Sequence, residues 1–178
     1  MPQCIPAKKW HQHDATRRPD GLACNDGFIA DGPAVVSDLQ WVSANSGWTP
    51  NNDGLPRLDT DVEGNSLRLG GRKYRKGIGT HAPSEITYKL QKQYDRFTAM
   101  IGCAEANGTV LFKIFGDGKL LFSSSQMRGL REVQQVDIPL ENIDVLMLQV
   151  TDAGDSNTSD MANWADARLQ KISKYTAR

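Results

Sequence analysis

The sequence has no surplus of charge of either sign. Its 178 residues include 21 Lys and Arg and 21 Asp and Glu, so the formal net charge at pH 7 is zero. A protein that holds a nucleic-acid backbone or an anionic membrane surface needs an excess of positive charge. We therefore expect no nucleic-acid partner.

Long apolar runs are also missing. No segment approaches the roughly 20 consecutive apolar residues that cross a bilayer, and Met1 to Trp10 lack the apolar core of a signal peptide. This predicts a protein that does not insert into a membrane. The compartment stays open, although an export signal outside these residues would favour a secreted or periplasmic protein.

Cysteine and histidine are scarce, with three of each. Three cysteines are too few for a disulfide framework, but Cys4 and Cys24 could pair in an oxidising compartment, whereas Cys103 lies in an apolar run that predicts a buried thiol. Adding His11 and His13 to the two early cysteines suggests zinc. Their spacing fits no usual zinc-finger pattern, which disfavours this interpretation.

The amino-acid composition and the pattern of apolar residues change near residue 34. Residues 1–34 are rich in Pro, Gly, Asp, Asn and Arg without an apolar period, which predicts an irregular head, either a linker or part of a neighbouring domain. Residues 35–173 contain short apolar runs separated by Gly, Asn and Asp, a punctuation typical of antiparallel β proteins. Residues 174–178 are interpreted as a tail.

Alternating apolar residues predict the strands. Three runs have this period of two: Ile86, Tyr88 and Leu90; Phe97, Ala99, Ile101 and Cys103; and Val110, Phe112 and Ile114. Gly70-Gly71 and Gly116-Asp117-Gly118 suit tight hairpins, because glycine accepts positive φ. Ile143 to Val150 predicts a central strand covered on both faces, in preference to a buried helix, since the run is short. The sequence thus predicts an all-β antiparallel β-sandwich.

The segment from Tyr74 to Ser84 is too polar and too rich in glycine for an ordinary strand. Gly77 and Gly79 precede Thr80 and His81 within it, which predicts a fixed loop that presents His81 to a ligand. The alternative is plainer, because a His beside a glycine turn is more often a surface or capping residue.

Acidic and amide groups surround a large aromatic near the end of the chain. Asp155, Asp160 and Asn163 precede or flank Trp164. Such groups can hydrogen-bond sugar hydroxyls in fixed directions while an aromatic ring covers the C–H face of the sugar. For Trp164, a place in the core is the favoured alternative.

Trp48 stands between Gly47 and a polar turn, which predicts an exposed aromatic platform for a sugar. Farther along, Asp59, Asp61 and Glu63 alternate before a glycine. Asp59 and Asp61, together with Asp166, are candidate ligands of a structural Ca²⁺, which takes 6 to 8 oxygens. The alternative is a solvated acidic turn, and no cofactor is required by the sequence.

A longer series of motifs follows one order along the chain. It comprises Ser37-Asp38-Leu39 with Trp41, Ser46-Gly47-Trp48, Lys76-Gly77-Ile78-Gly79-Thr80-His81-Ala82, Ser84 to Tyr88, Tyr94, Phe97, Gly102, Asp117-Gly118-Lys119, Thr151-Asp152-Ala153-Gly154-Asp155 and Trp164-Ala165-Asp166-Ala167. This series resembles the NPCBM domains, grouped with the family fifty-one carbohydrate-binding modules, over roughly Val35 to Lys171.

The resemblance implies a jelly-roll sandwich of the galactose-binding-domain-like type. It further implies a module that binds a terminal sugar, with galactose-containing glycans favoured, and that targets an attached glycoside hydrolase to its substrate. The implied ligand-site candidates are His81 foremost, with Trp48 and the loop from Asp155 to Trp164. The predicted ligand residues are His81, Trp48, Thr80, Asp155, Asp160, Asn163 and Trp164.

Two other classes of function are alternatives to a binding module. An enzyme is disfavoured, because nothing resembles a catalytic motif and two of the three histidines lie in the head. A protein-interaction or structural sandwich that has lost sugar binding is the alternative kept open, since Met161 and Asn163 stand where the resembled family often has His and Asp.

Overall fold

The computed structural model describes residues 4–6, 22–24 and 32–172. The chain divides into two compact units, Met1–Gly32 and Pro33–Arg178. In the first unit, strands β1 (Cys4–Pro6) and β2 (Leu22–Cys24) pair antiparallel with Cys4 opposite Cys24. The side chains on which the disulfide and zinc hypotheses depend lie outside the described residues, so both stay predictions.

The second unit is built from short and medium strands, with a 3-10 turn at Val36–Asp38. The strands are β3 (Ala34–Val35), β4 (Ser43–Asn45), β5 (Arg57–Leu58), β6 (Arg68–Leu69), β7 (Arg72–Lys73), β8 (Gly77–His81), β9 (Ser84–Lys89), β10 (Tyr94–Cys103), β11 (Thr109–Gly116), β12 (Lys119–Ser123), β13 (Met127–Arg128), β14 (Val133–Pro139), β15 (Val145–Thr151) and β16 (Met161–Lys171).

These strands form two antiparallel sheets. The first sheet has the order β14-β10-β16-β8-β5, and β3 also pairs with β16. The second has the order β12-β11-β15-β9-β4, and β13 also pairs with β11. Strands β6 and β7 form a separate two-stranded hairpin.

The core lies between the two sheets. Trp164 of β16 is fully buried, and its ring meets the ring of Phe112 of β11, in the other sheet, edge to face at a centroid distance of 4.8 Å. Phe97 of β10 contacts the same indole at 6.4 Å. Contact between aromatic residues from opposite sheets is the layer arrangement of a sandwich. The predicted antiparallel β-sandwich is confirmed.

Most of the strand assignments made from alternation are confirmed. The alternating residues of β9, β10 and β11 are buried, and so is the Cys103 thiol. Both predicted glycine hairpins occur, at Gly70-Gly71 between β6 and β7 and at Asp117-Gly118 between β11 and β12. The run at β15 is a central strand, as predicted, but its faces differ: Leu146 and its even-numbered neighbours are buried, whereas the other face is only half-buried.

The predicted loop around His81 is wrong, because Gly77–His81 is strand β8 and all five of its residues are buried. The glycines have a packing reason. A Cβ at Gly77 would lie 2.9 Å from the Cα of Ala165, and a Cβ at Gly79 would collide with the backbone of Asp61. These residues are glycine because neighbouring backbone lies directly against the strand.

Within the described residues, the structure has no helix that is long and apolar enough to cross a membrane.

Candidate functional site

A cavity of about 370 Å³ opens where strands β4 and β8 end and β16 begins. Its lining combines an aromatic ring, an imidazole, a thioether and short polar side chains. The lining residues are Gly47, Trp48, His81, Asn157, Thr158, Ser159 and Met161. Mixed linings of this kind can hold a small polar ligand and fix its orientation.

Two hydrogen bonds join the Ser46-Gly47-Trp48 corner to the end of β8, and a third lies within the corner. The buried Ser46 hydroxyl accepts a hydrogen bond from the backbone N–H of His81 at 3.0 Å and donates to the carbonyl of Trp48 at 3.1 Å. The N–H of Gly47 donates to the carbonyl of His81 at 2.9 Å. One hydroxyl therefore links the two aromatic residues of the cavity.

Gly47 lets the corner approach β8 closely. A Cβ at this position would lie 2.7 Å from both the carbonyl carbon of Ala82 and the Cδ of Pro83, and closer still to the Ala82 oxygen. No side chain fits there without moving the backbone, so glycine sets the distance between Trp48 and His81.

The two rings form an angled pair. The centroids of the Trp48 and His81 rings are 5.9 Å apart, with 57° between the ring planes. Trp48 is 43 % exposed, whereas His81 is almost fully buried, so Trp48 provides the accessible aromatic surface of the cavity. The Nδ1 atom of His81 lies 2.7 Å from the Ala82 carbonyl and donates to it, because a carbonyl can only accept. Nε2 is then the ring nitrogen left for a ligand.

The side of the cavity opposite Trp48 is formed by residues 157–159, at the end of the β15–β16 loop. In that wall, the Thr158 N–H donates to the Ser156 hydroxyl at 3.3 Å, and the two side-chain hydroxyls are 3.1 Å apart. Ser159 has a positive φ of 65°, which turns the chain toward Asp160. Polar groups on this wall face the Trp48 corner across the cavity.

Asp160 is a buried carboxylate next to the cavity and not part of its lining. Its Oδ1 accepts the Thr109 N–H at 2.7 Å, and its carbonyl accepts the Ala82 N–H at 2.9 Å. Its Oδ2 has no partner among the described residues. Burial raises the pKa of this carboxyl, an effect that the hydrogen bond from Thr109 opposes only in part. Asp160 thus connects the ends of β8, β11 and β16 through hydrogen bonds next to the cavity.

Five of the seven predicted ligand residues lie outside the lining of this cavity, Asp160 among them. Thr80 points away from it, because alternate residues of a strand face opposite sides, and its fully buried hydroxyl donates to Ser84 at 2.7 Å. Trp164 is a core residue for the same reason, which corrects its inclusion among the ligand contacts. Asp155 is exposed beyond the cavity wall, and Asn163 lines a different cavity.

The three predicted calcium ligands do not come together. Partial burial opposes ionisation of Asp59, but hydrogen bonds from Lys76, Ser37 and Gly77 hold the pKa of its carboxyl below the usual range. Asp61 Oδ1 caps the following turn, accepting two backbone N–H groups, and Asp166 forms an ion pair with Arg168. No three acidic, His or Cys side chains gather as a metal site anywhere in residues 32–172. Calcium binding stays a prediction without added support.

Sequence reasoning missed several residues of the cavity. Met161 faces the cavity because it pairs with His81 across β8 and β16. That pairing, like the approach of residues 157–159 to Trp48, joins positions far apart in the chain. The available signal was parity, since Met161 and Asn163 share a face while Ala162 and Trp164 share the other.

The chain is similar to known proteins over most of its length. The sequence model described as "NPCBM/NEW2 domain" matches residues 32–170. A putative endo-alpha-N-acetylgalactosaminidase of Renibacterium salmoninarum is 35% identical over 139 residues, which cover 75% of this chain and 9% of that protein. Alpha-1,3-galactosidase B of Akkermansia muciniphila is 31% identical over 124 residues, covering 66% of this chain and 16% of that protein.

Solved structures agree in fold. The CBM51 domain from Clostridium perfringens GH95, in complex with methyl-galactose, is 34% identical with a TM-score of 0.70 and covers 78% of this chain and 99% of that chain. CBM51-2 in complex with GlcNAc, with the INT domains of ZmpB from the same organism, is 31% identical with a TM-score of 0.72, covering 81% of this chain and 32% of that chain. The galactose-binding-like jelly-roll sandwich is thereby confirmed.

Proposed function

The chain belongs to the NPCBM/NEW2 domain family of non-catalytic carbohydrate-binding modules, and from this premise we propose that it binds a terminal sugar of galactose type between Trp48 and His81. Family membership confirms the predicted class of module and the prediction that the chain is not an enzyme. The identity of the sugar, its site and the targeting of an attached enzyme form the proposal.

The observation that carries the proposal is the angled pair of rings in a cavity of about 370 Å³. The exposed indole of Trp48 offers a face to the C–H groups of a pyranose ring. The imidazole of His81 has Nδ1 engaged by a backbone carbonyl, so Nε2 can accept a hydrogen bond from one sugar hydroxyl. Hydroxyls of Thr158 and Ser159 supply further donors and acceptors on the opposite wall.

A galactose-type sugar is favoured by the relatives. A CBM51 domain of similar sequence and fold is described with methyl-galactose bound, and the curated relative from Akkermansia muciniphila is named as an alpha-1,3-galactosidase. A second similar CBM51 domain is described with GlcNAc, so the test must include both kinds of sugar.

Attachment to a glycoside hydrolase is the second half of the proposal. The chain spans 9% and 16% of the lengths of the two curated enzymes that it matches, as an accessory module would. Linking a weak sugar-binding module to a catalytic domain makes each later encounter with the glycan intramolecular, which raises the local substrate concentration. The module would in this way hold the enzyme at its glycan.

Thermal unfolding with a panel of sugars tests the binding claim. The panel is methyl galactoside, N-acetylgalactosamine, GlcNAc, glucose and fucose. A sugar at ten times its Kd stabilises the folded state by about 1.4 kcal/mol, which raises Tm by about 3–6 °C in a domain of this size. We expect a rise with methyl galactoside; no rise with any sugar would favour the alternative, an interaction domain without a sugar site.

Variants of the two rings test the location. Trp48→Ala and His81→Ala should each weaken sugar binding at least tenfold, or about 1.4 kcal/mol, while Trp48→Phe should retain part of the affinity because it keeps an aromatic face. Leu120→Ala, at an exposed residue of the β11–β12 hairpin, is the control and should bind as the wild type does. Unchanged affinity in both Trp48→Ala and His81→Ala would mean that the sugar binds elsewhere on the domain.

A further inference from the structure

Positive charge is concentrated on the β6–β7 hairpin and the residues that follow it. Residues 64–84 contain five Lys and Arg residues and no Asp or Glu, in a chain whose formal net charge is zero. Among the five, Lys76 forms ion pairs with Asp38 and Asp59. The other four residues are exposed and form no ion pair within residues 32–172. These four, hereafter the basic surface, are Arg68, Arg72, Lys73 and Arg75.

Two of these cations lie directly opposite each other. Arg68 and Lys73 are a cross-strand pair of β6 and β7, so both side chains project from the same side of the hairpin. Like charges in this arrangement repel each other and destabilise the hairpin. An anion that contacts both side chains would relieve this repulsion, so the pair favours an anionic ligand.

The backbone that carries the cations is anchored to the domain. The carbonyl of the buried Leu67 accepts the Tyr74 N–H at 3.0 Å, which extends the hairpin beyond its paired strands. The side-chain amide of Asn163 donates to the carbonyl of Arg68 at 3.2 Å. The guanidinium of Arg72 lies over the Tyr74 ring, 5.3 Å from its centroid. An anchored hairpin loses less freedom when a ligand binds, which preserves affinity.

The carboxylates of neighbouring segments are engaged elsewhere. Asp61 lines a cavity of about 500 Å³ together with Arg68, but its Oδ1 accepts two backbone N–H groups of its own turn. Glu63 accepts a side-chain amide two residues away, and Glu132 accepts the Arg128 N–H at 2.8 Å. None of the three forms an ion pair with the basic surface. The complementary partner is therefore an anionic group of another molecule.

The place of the basic surface in the fold indicates which molecule carries that anion. Asn163, whose amide holds the hairpin, is two positions along β16 from Met161, which lines the cavity of Trp48 and His81; this spacing is about 7 Å. A glycan whose terminal sugar lies in that cavity can extend its next unit to Arg68. A nucleic acid or an anionic membrane fits less well, because the chain as a whole has no positive excess.

We propose that the basic surface binds the acidic group, a carboxylate or a sulfate, of the sugar unit next to the terminal sugar, so that the module prefers acidic glycans to neutral ones. The proposal rests on the proposed function and adds the charge of the glycan to it. Arg68 and Lys73 hold the acidic group between them, since a guanidinium donates paired hydrogen bonds to the oxygens of such a group. Arg72 and Arg75 add attraction at longer range.

Matched disaccharides with a terminal galactose test the preference. The neutral members are N-acetyllactosamine and lactose. Their acidic counterparts are N-acetyllactosamine sulfated at O6 of its GlcNAc unit and galactosyl-glucuronic acid. Isothermal titration at low salt should show at least fivefold tighter binding of an acidic member than of its neutral counterpart. That advantage should shrink at about 0.5 M salt, where the Debye length is only about 4 Å. An advantage for one acidic member alone would identify the acidic group as sulfate or carboxylate.

The outcomes separate this proposal from the proposed function. Equal affinity for acidic and neutral members would overturn the role of the basic surface and leave the proposed function intact. Binding of acidic members alone, unchanged in Trp48→Ala, would support the basic surface and contradict the site at the rings. Binding of none of the four would overturn both. A short single-stranded DNA that binds as tightly as the acidic disaccharides would overturn the assignment to a glycan.

Charge-removing variants locate the contact. Arg68→Gln and Lys73→Gln should each lower the affinity for the acidic members at least threefold and leave the affinity for the neutral members unchanged. Each should also raise Tm slightly at low salt, because the repulsion across the hairpin is lost. Lys119→Gln removes the same charge at an exposed residue of β12, in the other sheet, and is the matched control. Equal losses in the three variants, or no loss in Arg68→Gln and Lys73→Gln, would overturn the assignment.

Discussion

Gly47→Ala tests the way the site is assembled. The added methyl group would lie 2.7 Å from the Ala82 carbonyl carbon and from the Pro83 Cδ, so the corner must retreat by close to 1 Å to reach ordinary contact at 3.5 Å or more. That retreat breaks the hydrogen bond from the Gly47 N–H to the His81 carbonyl. The rings of Trp48 and His81 would then lose their relative position.

The expected cost has two parts. Overpacking against a backbone that cannot move freely costs about 1–3 kcal/mol, and loss of the hydrogen bond costs about 1 kcal/mol more, so the free energy of unfolding should fall by about 2–4 kcal/mol. Sugar affinity should fall at least tenfold, since both aromatic contacts depend on the corner.

Urea denaturation and sugar titration of Gly47→Ala measure these two effects. Gly32→Ala is the matched control, because a Cβ at Gly32 meets nothing within 4 Å. It should change the free energy of unfolding by less than about 0.5 kcal/mol. A Gly47→Ala protein that keeps wild-type stability and affinity would refute the close approach of the corner to β8.

Three further predictions concern buried residues. Ser46→Ala should lower the free energy of unfolding by about 1–3 kcal/mol, because it leaves the backbone N–H of His81 buried without a partner; urea denaturation that shows no loss would contradict the linking role of the hydroxyl. Asp160→Asn should stabilise the domain at neutral pH, because it removes a buried charge from a carboxyl whose pKa burial raises. That gain should shrink as the pH falls through the raised pKa, since protonation then removes the charge from the wild type too; denaturation curves showing an equal gain at acidic and neutral pH would argue against it. Trp164→Ala should cost about 3–5 kcal/mol in chemical denaturation, and a cost below 1 kcal/mol would contradict its place between the sheets.

The fold was largely predictable from the sequence, because alternation of apolar residues is a local signal. In strands β9, β10 and β11, the alternation of apolar residues over a few positions predicts which face is buried, and the glycine hairpins indicate where the chain turns. Alternation did not predict strand β8. Its glycines are required by backbone from elsewhere in the chain, Ala165 and Asp61, which no local pattern reveals.

The site was predictable only in part. Trp48 and His81 were identified from residue type and flanking glycines, and the structure brings them together through Ser46, a contact between positions 35 residues apart. Neighbouring residues of one strand cannot share a face, so Thr80 could not accompany His81, nor Trp164 accompany Asn163. For Thr80 this constraint applies only once residues 77–81 are known to form a strand and not the predicted loop.

The claim that this module binds a sugar between Trp48 and His81 is tested most directly by isothermal titration. Methyl galactoside is titrated into the wild-type chain and into Trp48→Ala under identical conditions, after both are shown to be folded. We expect saturable binding of one sugar at this site in the wild type and a loss of at least tenfold in affinity in the variant. Equal affinity in the two proteins would contradict it.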